Sequence, residues 1–182
     1  MERAGEYTLK LKSQHSPFEA LLESIIYQQL HGKAAAAILK RLLTLFGEIH
    51  PSPEHLLGAS DDMLRSAGLS GSKAKALRDL AAKTIDGTVP TLVAIRRMPD
   101  DEIVDRLTQV RGIGPWTVEM LALHGQGRFD QLPAGDLGLL KYVGRRLSGG
   151  DPRACAAEVD VRTFFAPYGR WCGLAAVHVL SL

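Results

Sequence analysis

Apolar residues recur at steps of three and four along most of the chain, a spacing that places them on one face of an α-helix. The first such segment follows Ser16-Pro17, where Glu19 completes the Ser-x-x-Glu pattern of a capping box and proline takes the first helical position. We therefore predict a helix that begins at Pro17. Its apolar positions are Phe18, Leu21, Leu22, Ile25 and Ile26.

Cap residues and glycines divide the rest of the chain into further helices. The only candidate for a short β-strand is at residues 7–12. We therefore expect an all-α fold. The predicted helices run from about Lys33 to Phe46, from Ser72 to Ile85 and from Asp101 to about Gln109, and shorter helices begin after Ser52, Ser60 and Pro90.

The composition is that of an ordinary globular protein, with 182 residues of which 46% are hydrophobic and 23% charged. It excludes a disordered tail, a collagen-like repeat and a disulfide scaffold. No apolar run approaches the roughly 20 residues of a membrane span, and the first residues lack the apolar core of a secretory signal. We expect a cytoplasmic protein without a membrane partner.

Charge and cysteine content narrow the function only a little. The formal net charge of +2 permits nucleic-acid binding but does not argue for it. Cys155 and Cys172 are the only cysteines, and they form no Cys-x-x-Cys pair. Neither a zinc site nor a cysteine-ligated iron–sulfur cluster can be assembled from two such residues.

The most informative stretch is residues 107–122, where a glycine turn joins two predicted helices. Gly112-Ile113-Gly114 forms the turn, and Pro115 takes the first position of the second helix. Glycines let a ligand approach the backbone closely, and the unpaired N–H groups at a helix start attract anions such as a DNA phosphate. A helical hairpin can also simply pack a core, so this motif alone leaves both interpretations open.

A second motif places one carboxylate at the start of a helix. In residues 132–141 a Pro/Gly-rich loop leads to Asp136, and a predicted helix follows to about Leu147. Asp136 is well suited to capping that helix, and the helix dipole favours its ionised form. It is therefore either only a cap or the fixed negative charge that a developing cation needs.

Together these motifs resemble the helix–hairpin–helix (HhH-GPD) DNA glycosylases, and among them the 3-methyladenine DNA glycosylase II (AlkA-like) branch. The resemblance rests on residues 17–19, 25–30, 110–122 and 132–141, in that order, and on the aromatic-rich segment 165–170. It extends from about residue 16 to the end of the chain. The order and spacing of the motifs make it specific.

The resemblance implies an all-α, two-lobed fold with the active cleft between the lobes. On this basis we expect one lobe at about 32–130, with the hairpin at 107–122, and the other at about 1–31 plus 131–182. It also implies excision of damaged bases that are flipped out of double-stranded DNA, as in base excision repair. For such a protein we expect a monomer at the bacterial nucleoid.

Residue by residue, the resemblance assigns catalysis to Asp136. Leu30 falls on the wedge that fills the gap left in the duplex by the flipped base. The base pocket is implied to consist of aromatic and apolar side chains. These are Trp116, Tyr168, Tyr27, Met120 and Leu137.

The resemblance also assigns contacts to the DNA backbone. The amides of Gly112 and Gly114 fall on the phosphate donors of the family, and we expect Gln29 and Lys141 to contact the backbone as well. No cofactor is expected for catalysis. A structural monovalent cation, Na⁺ or K⁺, is implied at the hairpin on the carbonyls of Thr108, Val110 and Ile113.

Departures from the family pattern narrow the activity. Members that nick the strand carry a lysine two residues after the second hairpin glycine, where this chain has Trp116, so lyase activity is disfavoured. The cluster-bearing branch needs four cysteines, and this chain has two. Met120 and Leu137 stand where some relatives have aromatic residues, which makes the expected pocket less aromatic.

These arguments predict a monofunctional glycosylase that hydrolyses the N-glycosidic bond of alkylated bases such as 3-methyladenine and 7-methylguanine. Because an alkylated purine is already cationic, one carboxylate suffices and no second acid is demanded. Two alternatives stay open. One is a non-enzymatic module that binds DNA structure, in which Asp136 only caps its helix, and the other is a glycosylase with lyase activity.

Overall fold

The computed structural model describes residues 16–126, 128 and 130–180. Within these residues it contains eleven α-helices, one 3-10 helix and no β-strand. The prediction of an all-α fold is confirmed for them. The short strand predicted at residues 7–12 lies outside the described residues.

The helices follow one another with short connections. Before the hairpin they are α1 Pro17–Tyr27, α2 Gly32–Leu45, α3 Pro53–Gly58, α4 Asp61–Ser66, α5 Gly71–Ile85, α6 Leu92–Ile95 and α7 Asp100–Leu107. After it they are α8 Pro115–Gln126, α9 Leu137–Leu147, α10 Glu158–Phe165, the 3-10 helix Ala166–Trp171 and α11 Cys172–Leu180. Some predicted ends shift slightly. The α5 helix begins one residue early because Ser70 caps it, and α7 ends at Leu107 rather than Gln109 because the turn begins there.

All the described helices are short. The longest, α5, has 15 residues, and none is long and apolar enough to cross a membrane. Short helices give a chain many helix ends, and each end leaves up to four backbone N–H or C=O groups without a partner inside the helix. The partners that these groups find outside the helices shape both candidate sites described below.

Side-chain caps explain where several helices begin. The Ser16 hydroxyl accepts from the Glu19 N–H at 3.2 Å, and the Glu19 carboxylate accepts from the Ser16 N–H at 2.9 Å, so the predicted capping box is confirmed. Ser60 and Thr91 each accept from the N–H three residues further on. Each cap satisfies an amide that the helix leaves unpaired, which fixes the first turn of a short helix.

The described chain divides into two compact units, with the boundary between Val118 and Glu119, inside α8. This division differs from the predicted lobes, which placed residues up to 31 with the C-terminal part and set the second boundary at 130. The reason is packing, because α1 lies against α2 and α5 of the first unit. The apolar face of α1 identified in the sequence is buried there.

The core of the first unit forms around α1 and α5. Both helices are therefore fixed in place, together with the residues at the end of α1. Full burial of each large aliphatic side chain contributes about 1.5–3 kcal/mol relative to its exposure. The almost fully buried residues of this core include Leu21, Leu22, Ile25, Ile26, Leu42, Leu56, Leu77 and Leu80.

The second unit packs α9, α10 and α11 around a smaller core. Its buried residues are Ala134, Leu139, Val143, Val161, Phe165 and Ala176. A glycine permits its closest backbone approach, since a Cβ on Gly173 would lie 2.1 Å from the Gln131 carbonyl oxygen. The α11 helix therefore lies directly against the backbone of the loop that leads to Asp136.

Gly173→Ala should destabilise the second unit, because the added methyl would collide with the Gln131 backbone rather than with a flexible side chain. Overpacking of this kind costs about 1–3 kcal/mol, and each kcal/mol lowers the melting temperature of a protein of this size by about 2–4 °C. Gly71→Ala in α5, where an added Cβ meets nothing within 4 Å, is the matched control and should keep or slightly raise the melting temperature. Equal melting temperatures for the two variants would contradict the packing argument.

Candidate functional site

The predicted site residues fall into two groups, one in each unit. The first group is built around the hairpin and the second around Asp136. The first unit contains Tyr27, Gln29, Leu30, Thr108, Val110, Gly112, Ile113, Gly114 and Trp116. The second unit contains Met120, Asp136, Leu137, Lys141 and Tyr168.

The hairpin between α7 and α8 is held to its core by apolar residues. Val110 and Ile113 are only 1% and 5% exposed, so the turn is packed from within. Gly112 has a φ of +82°, a backbone conformation that favours glycine, and α8 begins at Pro115. The helix–hairpin–helix predicted at residues 107–122 is confirmed.

The backbone N–H groups of the turn alternate between bonded and unbonded. The Arg111 N–H donates to the Asp79 carboxylate at 2.7 Å, and the Ile113 N–H donates to a carbonyl of the same turn at 3.0 Å. Among the described residues, the N–H groups of Gly112 and Gly114 donate to no protein acceptor. A Cβ on Gly114 would meet nothing within 4 Å. Two amide donors are thus left on open backbone, which is what an anion site requires.

Two side chains of α5 support this turn. Lys83 pairs with Asp79 at 2.8 Å and also donates to the Gln109 carbonyl. Burial raises the pKa of Asp79, but the hydrogen bonds from Lys83 and from the Arg111 N–H together outweigh it, so the pKa lies below its ordinary value. Asp79 therefore stays ionised at neutral pH and holds the turn as an acceptor.

Leu30 lies in the turn that follows α1, residues 28–30, which we call the wedge turn. Gln29 has a φ of +57°, a left-handed conformation that is uncommon for residues other than glycine. Leu30 is 38% exposed and Tyr27, the last residue of α1, is 40% exposed. An apolar side chain this open at a tight turn is available for insertion, as the wedge prediction requires.

The wedge turn is bonded both to the hairpin and to α5. The Gln28 side-chain amide donates to the Gly112 carbonyl at 2.8 Å. Lys73 Nζ donates to the Gln28 carbonyl at 2.9 Å and to the Ile26 carbonyl, and burial lowers the pKa of Lys73. The structure therefore brings the predicted wedge and the predicted phosphate site together within one unit.

The three aromatic side chains predicted for the pocket, Trp116, Tyr168 and Tyr27, are not core residues. Trp116, in the first turn of α8, is 48% exposed, and Tyr168, in the 3-10 helix, is 51% exposed. The Tyr168 ring lies 5.8 Å from the ring of the buried Phe165, which supports it on one side. Leu137 is also exposed, and Met120 is half-buried.

Asp136 is the N-cap of α9, as the sequence predicted. One carboxylate oxygen, Oδ1, accepts from the Gly138 N–H at 2.7 Å and from the Leu139 N–H at 3.1 Å. The side chain is half-buried, so it is fixed without being sealed from solvent. Lys141 is exposed in the first half of the same helix. The catalytic role of Asp136 stays a prediction.

The space around Gly138, beside the Asp136 carboxylate, leaves no room for a side chain. A Cβ on Gly138 would lie 2.9 Å from Asp136 Oδ1 and 2.6 Å from a methyl carbon of Leu180. Pro133 and Ala134 of the preceding loop are buried, which holds the loop to the core of the unit. The absence of a Cβ at position 138 therefore lets the Asp136 carboxylate and Leu180 lie close to the backbone of α9.

A second carboxyl group stands close enough to interact with Asp136 electrostatically. Glu119 of α8 is half-buried and lines a cavity of about 350 Å³ together with Arg162. Burial raises the pKa of Glu119, Arg162 opposes this, and the negative charges of Glu158 and Asp136 add to the rise. Besides Glu119 and Arg162, the cavity is lined by Asp130, Gln131, Leu132, Phe165, Ala166, Gly169 and Cys172.

Several of these residues were not identified from the sequence. Asp79 and Lys83 have the i, i+4 spacing of a helix ion pair, which predicts the pair but not its bonds to a turn 26 to 32 residues away. Glu119 lies within the predicted hairpin, yet nothing in the local pattern indicates that it is half-buried and interacts with another carboxylate. These contacts depend on tertiary packing.

The charge state of Glu119 predicts a pH-dependent effect of Glu119→Gln. A raised pKa means that the folded state holds the Glu119 proton more tightly than the unfolded chain, so ionisation costs stability as the pH rises above the ordinary value of 4.5. The variant lacks this cost. Its free energy of unfolding, relative to wild type, should therefore increase between about pH 4 and pH 7 in denaturant titrations.

Glu54→Gln is the control for this measurement. The Ser52 hydroxyl bonds to the Glu54 carboxylate and lowers its pKa, so the sign is reversed. The stability of this variant relative to wild type should fall over the same pH range. A flat or falling difference for Glu119→Gln would show that its carboxyl is not destabilised in the folded state.

Comparison with known proteins assigns the chain to a family. The model of the family described as HhH-GPD superfamily base excision DNA repair protein matches residues 22–161. The chain is 39% identical over 124 residues to DNA-3-methyladenine glycosylase 1 of Schizosaccharomyces pombe, covering 68% of this chain and 54% of that protein. It is 26% identical to DNA-3-methyladenine glycosylase 2 of Escherichia coli, covering 94% of this chain and 59% of that protein.

The chain thus spans a little over half the length of these two relatives. It also matches the solved structure of the S. pombe 3-methyladenine DNA glycosylase Mag1 in complex with abasic DNA, with a TM-score of 0.77 and 30% identity. That match covers 96% of this chain and 84% of the other. The order of the motifs, the helical fold and these similarities agree, and the chain belongs to the HhH-GPD superfamily of base excision DNA repair proteins.

Proposed function

We propose that this protein is a monofunctional DNA glycosylase that releases alkylated bases of the 3-methyladenine and 7-methylguanine type from double-stranded DNA. The observation that carries the proposal is the state of Asp136, which two amide hydrogen bonds hold in place while its side chain stays partly open to solvent. The names of the similar proteins from S. pombe and E. coli support the same activity.

Asp136 supplies the charge that the reaction needs. Breaking an N-glycosidic bond leaves an oxocarbenium-like sugar, which a fixed carboxylate beside it stabilises. The same carboxylate orients or deprotonates the water that traps the cation at C1′. The bond to the base breaks with both electrons going to the base, and an alkylated purine, already cationic, leaves as a neutral molecule without a second acid.

Aromatic faces select for such a base. A cationic base over a tryptophan or tyrosine ring gains about 0.5–2 kcal/mol that a neutral base does not. Trp116 and Tyr168 both have exposed ring surface for this contact, and Tyr27, Met120 and Leu137 complete the proposed pocket.

The hairpin binds the backbone of the DNA strand. The N–H groups of Gly112 and Gly114 supply two donors to a phosphate, and this contact reads no base. Gln29 and Lys141 add contacts to the backbone. Leu30 enters the stack at the site of the flipped base, which offsets part of the cost of extrusion.

We propose that a monovalent cation binds at the same turn. The carbonyls of Gln109 and Gly112 are engaged by the side chains of Lys83 and Gln28. Among the remaining carbonyls of the turn are the three that the resemblance assigns to the cation, which come from Thr108, Val110 and Ile113. The Val110 carbonyl accepts one hydrogen bond and keeps a second lone pair. When bound, Na⁺ or K⁺ supplies positive charge beside the phosphate.

The absence of strand cleavage is part of the proposal. Schiff-base chemistry needs an amine at the position that Trp116 occupies, and indole nitrogen cannot serve. We further propose that the protein acts as a monomer in the cytoplasm, at the bacterial nucleoid. Its partner is double-stranded DNA that contains damaged bases.

Asp136→Asn and Asp136→Ser test the chemistry. Both side chains keep a good N-cap but remove the negative charge, so fold and DNA binding should persist. Release of 3-methyladenine and 7-methylguanine from duplex DNA should fall by about 100- to 1,000-fold. Excision is measured on a panel of alkylated, deaminated and oxidised duplexes, with melting temperatures as the check on folding.

Asp62→Asn, at an exposed position of α4, is the matched control and should keep wild-type excision. Normal turnover by both Asp136 variants would remove this residue from the mechanism. No base release by wild type from any duplex, with tight binding retained, would instead favour a non-enzymatic DNA-binding module in which Asp136 only caps its helix.

Gly114→Ala tests the strand grip. The added methyl meets nothing within 4 Å in the free protein, so the cost to stability is at most about 1 kcal/mol from a weaker N-cap. In the complex the methyl would stand where the phosphate approaches. Losing one hydrogen bond to a charged group should weaken binding to abasic-site DNA by about 10-fold or more.

Gly58→Ala, which also places its Cβ in open space, is the control for this substitution. It should bind abasic-site DNA like wild type at the same salt concentration. Equal affinities for the Gly114→Ala and Gly58→Ala proteins would exclude the hairpin amides as phosphate donors.

A further inference from the structure

The wedge turn and the hairpin are joined by a chain of hydrogen bonds that begins on α5. Lys73 Nζ donates to the carbonyls of Ile26 and Gln28, and the Gln28 side-chain amide donates to the Gly112 carbonyl at 2.8 Å. Gln28 and Gly112 are 84 positions apart in the sequence. Gln28, in the middle of this series of hydrogen bonds, lies two residues before Leu30. Gly112, at its end, carries one of the unbonded hairpin amides.

Lys73 satisfies the end of α1. The wedge turn redirects the backbone so early that the Leu30 N–H bonds to the Tyr27 carbonyl, at 3.3 Å, and the Ile26 carbonyl loses the partner that a longer helix would give it. The ammonium group of Lys73 takes its place. A cation at the C-terminal end of a helix is also favoured by the helix dipole.

The backbone of the wedge turn needs such external support. Gln29 at a φ of +57° is in a conformation that costs a residue other than glycine free energy, and it persists only where the surroundings determine it. Gln29 and Leu30 are exposed and gain little from packing. Gln28 immediately precedes these two residues, and it is held at two points. Lys73 donates to its carbonyl, and its side chain donates to the Gly112 carbonyl.

The hairpin end of the chain is equally fixed. Gly112 receives the Gln28 bond on its carbonyl, and Asp79 accepts from the neighbouring Arg111 N–H at 2.7 Å. The peptide group before Arg111 and the peptide group after Gly112 are thereby held, while the peptide group between these two residues keeps the Gly112 N–H open. The α5 helix thus supports the wedge turn through Lys73 and the hairpin through Asp79.

We infer that Gln28 and Lys73 are positioning residues that hold Leu30 at a fixed separation from the phosphate-binding amides of the hairpin. This inference rests on the proposed function. A wedge that keeps its place relative to the gripped phosphate enters the stack without first losing conformational freedom. The two residues should therefore assist the extrusion of a paired base and leave both phosphate binding and bond cleavage unchanged.

Lys73→Met and Gln28→Met test this role, since each removes the hydrogen bonds but keeps much of the side-chain volume. Single-turnover excision of an alkylated base from a fully paired duplex should fall by about 10-fold, the effect of one hydrogen bond to a charged or fixed partner. On a duplex in which the lesion is mispaired, so that extrusion is easier, the loss should shrink to less than about 3-fold. Affinity for abasic-site DNA should stay within about 3-fold of wild type.

Two further variants make the comparison specific. Lys73→Arg restores a cation that can donate to both carbonyls and should recover most of the paired-duplex rate. Lys75→Met removes a lysine from an exposed position of the same helix and should behave like wild type. Gln28→Met breaks only an exposed bond, so it keeps the test valid if Lys73→Met fails to fold.

The fluorescence of 2-aminopurine placed next to the lesion reports unstacking directly. Wild type should raise it on binding, and the Lys73→Met and Gln28→Met proteins should raise it more slowly or less. An equal loss of excision on paired and mispaired duplexes, or wild-type fluorescence changes in both variants, would overturn the inference.

If the proposed glycosylase function is wrong, the experiments give a different set of results. In that case wild type releases no base from either duplex, and the fluorescence readout alone decides the positioning role. Unstacking by wild type that the two methionine variants lack would support the inference in a protein that is not an enzyme. Absence of unstacking by wild type would overturn it.

Discussion

The structure depends on where the backbone hydrogen-bonding groups at its helix ends find partners. The helices are short, so their ends are numerous, and a polar group left unpaired in a folded protein is costly. The backbone groups at three of these helix ends are treated in three different ways. Lys73 satisfies the end of α1, Asp136 accepts from the first amides of α9, and at the hairpin two glycine amides donate to no acceptor within the part of the chain that the structure describes. The candidate sites thus lie at or beside helix ends.

The local part of this arrangement could be predicted from the sequence. Ser16 and Glu19 mark a helix start within four residues, Gly112 and Gly114 mark a turn, and Asp136 follows a Pro/Gly loop at a helix start. Each signal acts over a single turn of chain, which is why the structure has these elements where the pattern places them. The structure shows that Asp136 caps α9, which is compatible with both interpretations of this residue.

The non-local part could not be predicted in this way. The bond from Gln28 to Gly112 joins residues 84 apart, and the bond from Arg111 to Asp79 joins residues 32 apart, so no sequence window contains both partners. The placement of α1 in the first unit has the same origin, since it depends on packing against α5. The surroundings of Glu119 likewise arise only when Arg162 and Glu158 are brought near it. Tertiary packing, rather than propensity, determines each of these features.

The contact of Gly173 with the Gln131 backbone has a consequence for the order of events during synthesis. The wedge turn, the hairpin and their supports all belong to the unit that ends at Val118, which leaves the ribosome first. The loop that carries Asp136 rests on α11, which follows it in the chain and therefore emerges later. A nascent chain therefore contains the hairpin and the wedge turn before α11 is present to support the loop that carries Asp136, and a fragment that ended before α11 would keep Asp136 without that support.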